Sequence, residues 1–315
     1  MEDINNNVIL EDVAVTGNPS NIVNQAHLMG AIDKILVKKS IARRVSDIQP
    51  LNAPVGIVTG AEWDKTTGKL TLAKADVEAT TKKIRTEFTQ EALQDLQAIY
   101  GESFYDILAH YLVDELAYKI DADFITMVRD RANPIADISF PGVTYDENLL
   151  SLGRAIAIKV SKGLADLPIS DNRAPVGWAI VSSDVASALG LTTNVNENVE
   201  MVDGENEADR SPSYLGRLNG VDYYIDYTNP NDGTNSVVFG IKGNGISKGS
   251  TIYCPYRKDW MEAIDSETGQ NAYFLMQRSA MVINPLDEKF YNAGVGESAF
   301  LGKFNVDLST MAIFA

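Results

Sequence analysis

From Leu93 to Val128 the apolar residues recur every three or four positions: Leu93, Leu96, Tyr100, Phe104, Ile107, Leu108, Tyr111, Leu112, Leu116, Ile120, Phe124 and Val128. That spacing lays one continuous apolar stripe along an α-helix. Thr89 stands where an N-cap is wanted, and Glu91 puts a negative charge in the first turn, so the predicted helix covers about 89–131. Gly101 interrupts it, at about 1 kcal/mol relative to Ala, and marks a candidate bend. A helix from Leu93 to Val128 is roughly 54 Å long at 1.5 Å per residue, whereas a compact globule of this size is only about 50 Å across. The stripe therefore predicts an elongated molecule built along a spine.

Upstream the period changes to two. "IRTEF" reads as a strand, and before it Val55–Trp63 and Lys69–Ala73 form two strand-like runs joined by a polar turn. Pro50 and Pro54 fix the entry to this hairpin. A lone two-stranded ribbon is marginal in water, and no adjacent sequence can cover its apolar residues. The cover must come from elsewhere in the chain or from another chain. Residues 1–26 are polar and Asn-rich and read as an extended arm. Lys38, Lys39, Arg43 and Arg44 form a basic cluster after a short helix from about His27; a solvated helix face is the plain reading, contact with an acidic neighbour the other.

Downstream, Thr144 and Glu147 have capping-box spacing ahead of Leu149, Leu152, Ile156, Val160 and Leu164, a helix that ends near Pro168. "VGWAIVSS" is a buried type of strand, and Asp184 caps a short helix through Leu189. Residues 192–213 are acidic and lack an apolar pattern, a length that compact domains tolerate where a loop is functional. "GVDYYIDY", "NSVVFGIK", "STIYCPY" and "AYFLMQRSAMVIN" are strands, and the tail "KFNVDLSTMAIFA" offers one more. Alternating helices and strands followed by consecutive strands make an α+β fold.

Composition narrows the function. The chain has 315 residues, 43 acidic against 27 basic, and a net charge of −16. A surface built to grip nucleic acid would need the opposite sign; this one suits high solubility or repulsion of nearby DNA. Cys254 is the single cysteine, which excludes an intrachain disulfide and a thiolate metal cluster. The polar, acidic start "MEDINNNVIL" is unlike a signal peptide, and no run of 18 apolar residues offers a membrane span, so a cytoplasm-like setting is expected.

Catalytic arrangements fail on their parts. Two histidines, His27 and His110, are too few for a three-histidine zinc site, and His110 reads as a partly buried structural residue of the spine. Asp121 and Asp123 in "DAD" are two apart, so they do not share a helix face; both read as solvated. "GIKGNGISKGS" fits neither phosphate-loop spacing and is a glycine-rich turn. Cys254, inside a strand, reads as a small core residue. No catalytic, cofactor or metal site is expected.

The order of parts (arm, hairpin, strand, spine helix, separate α+β lobe) resembles the Hong Kong 97-type fold of tailed-bacteriophage major capsid proteins. Particular stretches resemble its T-even, myovirus-like branch. "QPLNAPVGIV" is similar to that family's Gln-Pro…Gly-Pro-x-Gly entry to the hairpin, with Ala53 in place of the first Gly and with Pro54 and Gly56 kept. "TEFTQEALQDL" is similar to the start of the spine helix, and "YLGRLNGVDYYID" to a Gly-x-Leu-x-Gly strand pair. Cys254-Pro255-Tyr256, then Arg278, then Asn284-Pro285 resemble the closing Tyr-Pro-Tyr…Arg…Asn-Pro motif. The resemblance covers about 45–286; the 30 residues after Pro285 have no counterpart in it.

The resemblance implies an N-terminal arm (1–47), a projecting hairpin (48–76), a peripheral domain (77–145), an axial α+β domain (146–266) and a return strand with a C-terminal extension (267–315). It implies a structural protein that self-assembles as hexamers and pentamers into an icosahedral shell around DNA, made in the host cytoplasm and found in the virion. Partners would be further copies of itself, with decoration, portal and scaffold proteins, no sequence-specific DNA contact and no membrane. Pro50, Pro54 and Gly56 would position the hairpin, and Val58, Trp63, Leu70 and Leu72 would be covered by a neighbour's spine helix. The acidic loop 192–213 would lie near a symmetry axis or the outer surface. Ile9–Glu11 resembles a maturation cleavage site, and Lys65, Lys69 and Lys74 are candidate cross-linking lysines, with a solvated hairpin the plainer reading. The alternatives are an encapsulin-like shell and, from another class, a non-catalytic tail-associated or binding protein.

Overall fold

The computed structural model describes residues 22–64, 69–100, 104–139, 145–167, 177–190, 213–228, 235–242, 249–264, 271–287 and 298–307. The Asn-rich arm up to residue 21, the acidic loop 192–212, the glycine turn 243–248 and Lys65 lie outside them, as do Ile9–Glu11 and Thr144.

One four-stranded sheet carries the spine. Strands β11 (Thr251–Ile264) and β12 (Asn271–Ile283) form a long antiparallel ribbon with a bulge between Pro255 and Arg257. β4 (Thr80–Phe88) joins the far side of β12 antiparallel, and the two-residue β1 (Asp47–Ile48) adds to β11 in parallel, giving the order β1-β11-β12-β4. The expected helix over 89–131 falls on α3 (Gln90–Tyr100) and α4 (Phe104–Arg131), and 101–103, with the candidate bend at Gly101, lie outside the described residues. Thr89 does cap α3, accepting a 3.1 Å hydrogen bond from Ala92 N. At 28 residues α4 runs about 42 Å. Its stripe from Leu108 through Val128 is buried against Ile84, Tyr253, Tyr273 and Leu275 of the sheet. His110, expected to be partly buried, is exposed, because it falls off that stripe.

The N-terminal helices α1 (Ile22–Lys39) and α2 (Ile41–Val45) close the other side of this core through Ile32, Leu36, Ile41 and Val45. Arg43 is buried rather than solvated: it ion-pairs with Asp33 and lies 5.4 Å from the Tyr253 ring centroid, so the acidic neighbour is in its own chain. Asp121, read as solvated, is fully buried. It accepts hydrogen bonds from Ser40 Oγ (2.7 Å), Ile41 N (2.9 Å), Ala42 N (3.0 Å) and Tyr227 OH (2.8 Å). It thus satisfies the first amides of α2 from another element. Burial outweighs those bonds and pushes its carboxyl up to about 6. Asp123 is the exposed member of "DAD" and ion-pairs with Lys82.

The second sheet has seven strands in the main order β5-β13-β10-β7-β9-β8, with β6 (Ile138–Ser139) against β13. These are β5 (Ala132–Pro134), β7 (Gly177–Val181), β8 (Tyr214–Leu218), β9 (Val221–Ile225), β10 (Ser236–Ile241) and β13 (Ser298–Asp307). Helices α5 (Tyr145–Asp166) and α6 (Ser183–Gly190) cover one face, with Leu152, Ile156, Val160 and Leu164 against Ala179, Val181 and Phe239. The alternate residues Trp178 and Ile180 join the spine core, and Trp178 meets Phe124 with ring centroids 5.8 Å apart. Burial on both faces is why "VGWAIVSS" reads as continuous apolar sequence. Asp184 lies in the first turn of α6 rather than at its cap.

Strand membership departs from the expected division in two places. Residues 251–264, expected in the axial domain, belong to the spine sheet, where "RKDWMEAI" continues the strand beyond Tyr256. Residues 298–307, grouped with the return strand, are inserted between β5 and β10 of the second sheet.

Candidate assembly site at the hairpin root

The hairpin pairs β2 (Val55–Asp64) with β3 (Lys69–Glu78), five residues longer on its second arm than "KLTLA" suggests. Its root is tied to the spine sheet by backbone groups that the prolines leave free. Gln49 N donates to Tyr253 O (3.0 Å), Leu51 N to Pro255 O (2.9 Å) and Ala79 N to Pro54 O (2.8 Å). The Gln49 side chain acts as an extra piece of strand: Nε2 donates to Thr59 O (2.8 Å) and Oε1 accepts from Thr59 N (3.1 Å).

Below the ribbon, Leu51, Val58, Val77 and Ala79 pack with Ile252, Cys254 and Ala280, with Tyr256 and Val282 at the margin. The Cys254 thiol is buried and pushed up to about 12, so it is a neutral core group and not a nucleophile. Arg278 lies over the Tyr256 ring, 5.4 Å from its centroid. Asn284 organises the adjoining turn: its N donates to Ser250 O (3.0 Å), its Nδ2 to Gly249 O (2.9 Å), and its Oδ1 accepts from Leu286 N (3.0 Å). Pro285 follows, buried within that turn. Two glycines permit the close approach. A Cβ on Gly56 would lie 2.7 Å from Leu51 Cδ2, and one on Gly60 would collide with Asn284 Oδ1 and sit 2.9 Å from Leu286 Cγ. Pro50, Pro54, Gly56, Cys254, Pro255, Tyr256, Arg278, Asn284 and Pro285, far apart in sequence, therefore meet at or beside one root. Gln49 and Gly60 complete it; a glycine inside a strand run is the available signal for the second.

Register separates the hairpin's two faces. Val58–Ala75 and Gly60–Ala73 face the body, whereas Ile57–Asp76, Thr59–Lys74, Ala61–Leu72 and Trp63–Leu70 share the opposite face. Leu70 is 55 % and Leu72 56 % exposed. Val58 is fully buried in its own chain, which removes it from the surface open to a neighbour: cover for the proximal half comes from β11 and β12. Trp63 is paired with Leu70 through its backbone, and its side chain lies outside the described residues. Elsewhere Ile99 and Tyr111 on α3 and α4 are each 71 % exposed.

The sequence matches the family model for "Major capsid protein Gp23" over residues 59–306. The chain belongs to that family. It is a structural protein of the bacteriophage virion, self-associating into the capsid shell. The match reaches Val306 in β13, so the segment after Pro285 that lacked a counterpart is in large part a family element. No curated protein matches the sequence. Among solved structures, the virus-like particle from Pyrococcus furiosus aligns with a TM-score of 0.53 at 10 % identity, covering 89 % of this chain and 96 % of that one. The satellite phage P4 procapsid aligns at 0.50 and 9 % identity, covering 89 % and 90 %. The capsid of cyanophage P-SCSP1u aligns at 0.49 and 10 % identity, covering 85 % and 88 %. The first two likenesses give the Hong Kong 97-type α+β fold, and the family match favours the phage capsid over the encapsulin-like and tail-associated readings. Among the described residues no helix is long and apolar enough to cross a membrane.

Proposed function

We propose that this capsid protein assembles as hexamers and pentamers by docking the distal half of its hairpin on helices α3 and α4 of a neighbouring copy. The exposure of Leu70 and Leu72 beyond the covered root carries the reading. At about 3.3 Å per residue the four residues of β2 past Gly60, where the ribbon meets Asn284 and Leu286, span about 13 Å. Lys74 follows Leu72 on the exposed face of the ribbon, with Asp76 beyond it, and Glu115 lies one turn from Tyr111 on α4, so Lys74 is the ribbon charge that would steer Leu70 and Leu72 toward a neighbour's helix. Pro50, Pro54 and Gly56 set the angle of the ribbon, and Leu70, Leu72 and Trp63 make the contact. Decoration, portal and scaffold proteins are further partners in this reading, and DNA is enclosed without sequence-specific contact, in keeping with the net charge of −16. Catalysis has no part in it.

The test is L70D/L72D, which alters two exposed positions. The expected variant is folded by circular dichroism but yields no shells in negative stain and sediments as small species. Normal shells from this variant would overturn the docking role of the hairpin.

A further inference from the structure

The outward face of the spine sheet carries more cations than carboxylates among the described residues. Register puts Arg257, Asp259 and Met261 of β11 beside Arg278, Met276 and Phe274 of β12, and these beside Thr81, Lys83 and Arg85 of β4. The residues between them, such as Lys258, Trp260 and Leu275, turn to the spine side, where Lys258 pairs with Asp33 of α1. On the outward face Asp259 pairs with Arg257 at 2.8 Å and Glu87 pairs with Arg85. Lys83 and Arg278 meet aromatic rings instead: Lys83 Nζ is 4.1 Å from the Phe274 centroid, and Arg278 lies over Tyr256. Four cations thus face two carboxylates around Met261, Met276 and Phe274, on a chain of net charge −16.

The occupant that fits is acidic, apolar and close at hand. Residues 1–21 contain Glu2, Asp3, Glu11 and Asp12, the apolar run Val8–Leu10, and neither Lys nor Arg. They lead directly into α1, which packs against β11 of this sheet. Fully extended, they reach about 70 Å, while three strands at about 4.8 Å spacing are only ~10 Å wide. Beyond Leu51 N on Pro255 O, the outer edge of β11 carries no strand among the described residues, so a route around it is open. Exposed ion pairs are individually weak, but a short tether presents the segment at an effective concentration in the millimolar range.

We propose that residues 1–15 fold back around the edge of β11 and occupy this face of their own chain, with Val8–Leu10 on Met261, Phe274 and Met276 and the arm's carboxylates toward Lys83, Arg85 and Arg278. Occupied in this way, this basic face is withheld from DNA phosphates and from the acidic surfaces of other copies.

Zero-length carbodiimide cross-linking of the full chain, dilute and free of particles, tests the assignment. Equal amounts of nitrogen-15-labelled and unlabelled protein are mixed first. Lys83 is expected to be joined to Glu2, Asp3, Glu11 or Asp12 in peptide pairs of uniform isotope. Lys83 joined to the acidic residues of 197–209, or not joined to the arm at all, overturns the occupant; mixed-isotope pairs overturn the intramolecular placement. Independently, K83E/R85E changes two exposed side chains. It should speed proteolysis within residues 1–15 about tenfold, the equivalent of two surface ion pairs, with the core digestion pattern unchanged. Unaltered cleavage of the arm overturns the proposal.

Discussion

Asp121 is a buried carboxylate surrounded by four donors, yet burial still raises its carboxyl from the ordinary 3.8 to about 6. The sign of the linkage follows from the direction of that shift. Between those values the folded state binds more protons than the unfolded one, so the contribution is fully present below about pH 4 and is lost as pH rises through 6. At 1.36 kcal/mol per pKa unit the change amounts to about 3 kcal/mol. Denaturant unfolding of the wild type and D121N across pH 4–7 should show the difference between them changing by that amount, with the wild type losing ground toward neutral pH; a pH-independent difference would contradict it. D121A, which leaves two backbone amides and two hydroxyls without their acceptor, should lose about 3–5 kcal/mol. Sequence could not reveal this residue. Its spacing from Asp123 shows that the two differ in face, and nothing local tells that Ser40–Ala42, some eighty positions away, arrive at one of them.

At the scale of elements, period and punctuation were the legible features. The strands and the stripe of the spine follow from alternation of two and of three to four, because burial of one face selects both. Partner identity is not encoded in period, which is why "STIYCPY" was readable as a strand and its membership of the spine sheet was not. The hairpin shows the same limit: its runs were visible, but whether its own chain covered them depended on the distant β11 and β12. Val58 and Gly60 are covered, Leu70 and Leu72 are exposed, and Gln49 lies at the covered end. Q49A removes both hydrogen bonds to Thr59 without touching the apolar cluster. At about 1 kcal/mol for such a pair of part-buried bonds, amide exchange at Thr59 and its ribbon neighbours should rise about fivefold. Exchange in β12 should stay at its wild-type rate. Equal acceleration in both would mean that the clip stabilises the whole sheet and not the ribbon's root.

On the scale of the whole molecule, three consecutive residues fasten the seven-stranded sheet to the spine. Asp226 pairs with Arg129, Tyr227 OH donates to Asp121, and Tyr118 OH donates to Thr228 O at 3.2 Å. Burial and the adjacent carboxylate raise the Tyr227 phenol far above its ordinary value, so it stays protonated and donates at any physiological pH. The same carboxylate holds the start of α2, so one side chain joins the N-terminal helices, the spine and the second sheet. A shell protein needs its lobes held at a fixed angle while the hairpin reaches a neighbour, and this joint adds polar contacts to the Trp178–Phe124 packing that also spans the two sheets. Y227F keeps the ring against Tyr118, at 5.6 Å between centroids, and removes only the donor. A lost hydrogen bond to a charged group is worth about 1.5–3 kcal/mol. If the joint is local, exchange should accelerate in β8 and β9 on one side and in Ser40–Val45 on the other, with the β11–β12 ribbon unaffected. Acceleration confined to residues 226–228 would instead show the lobes held by the Trp178–Phe124 core alone, since that packing survives the substitution.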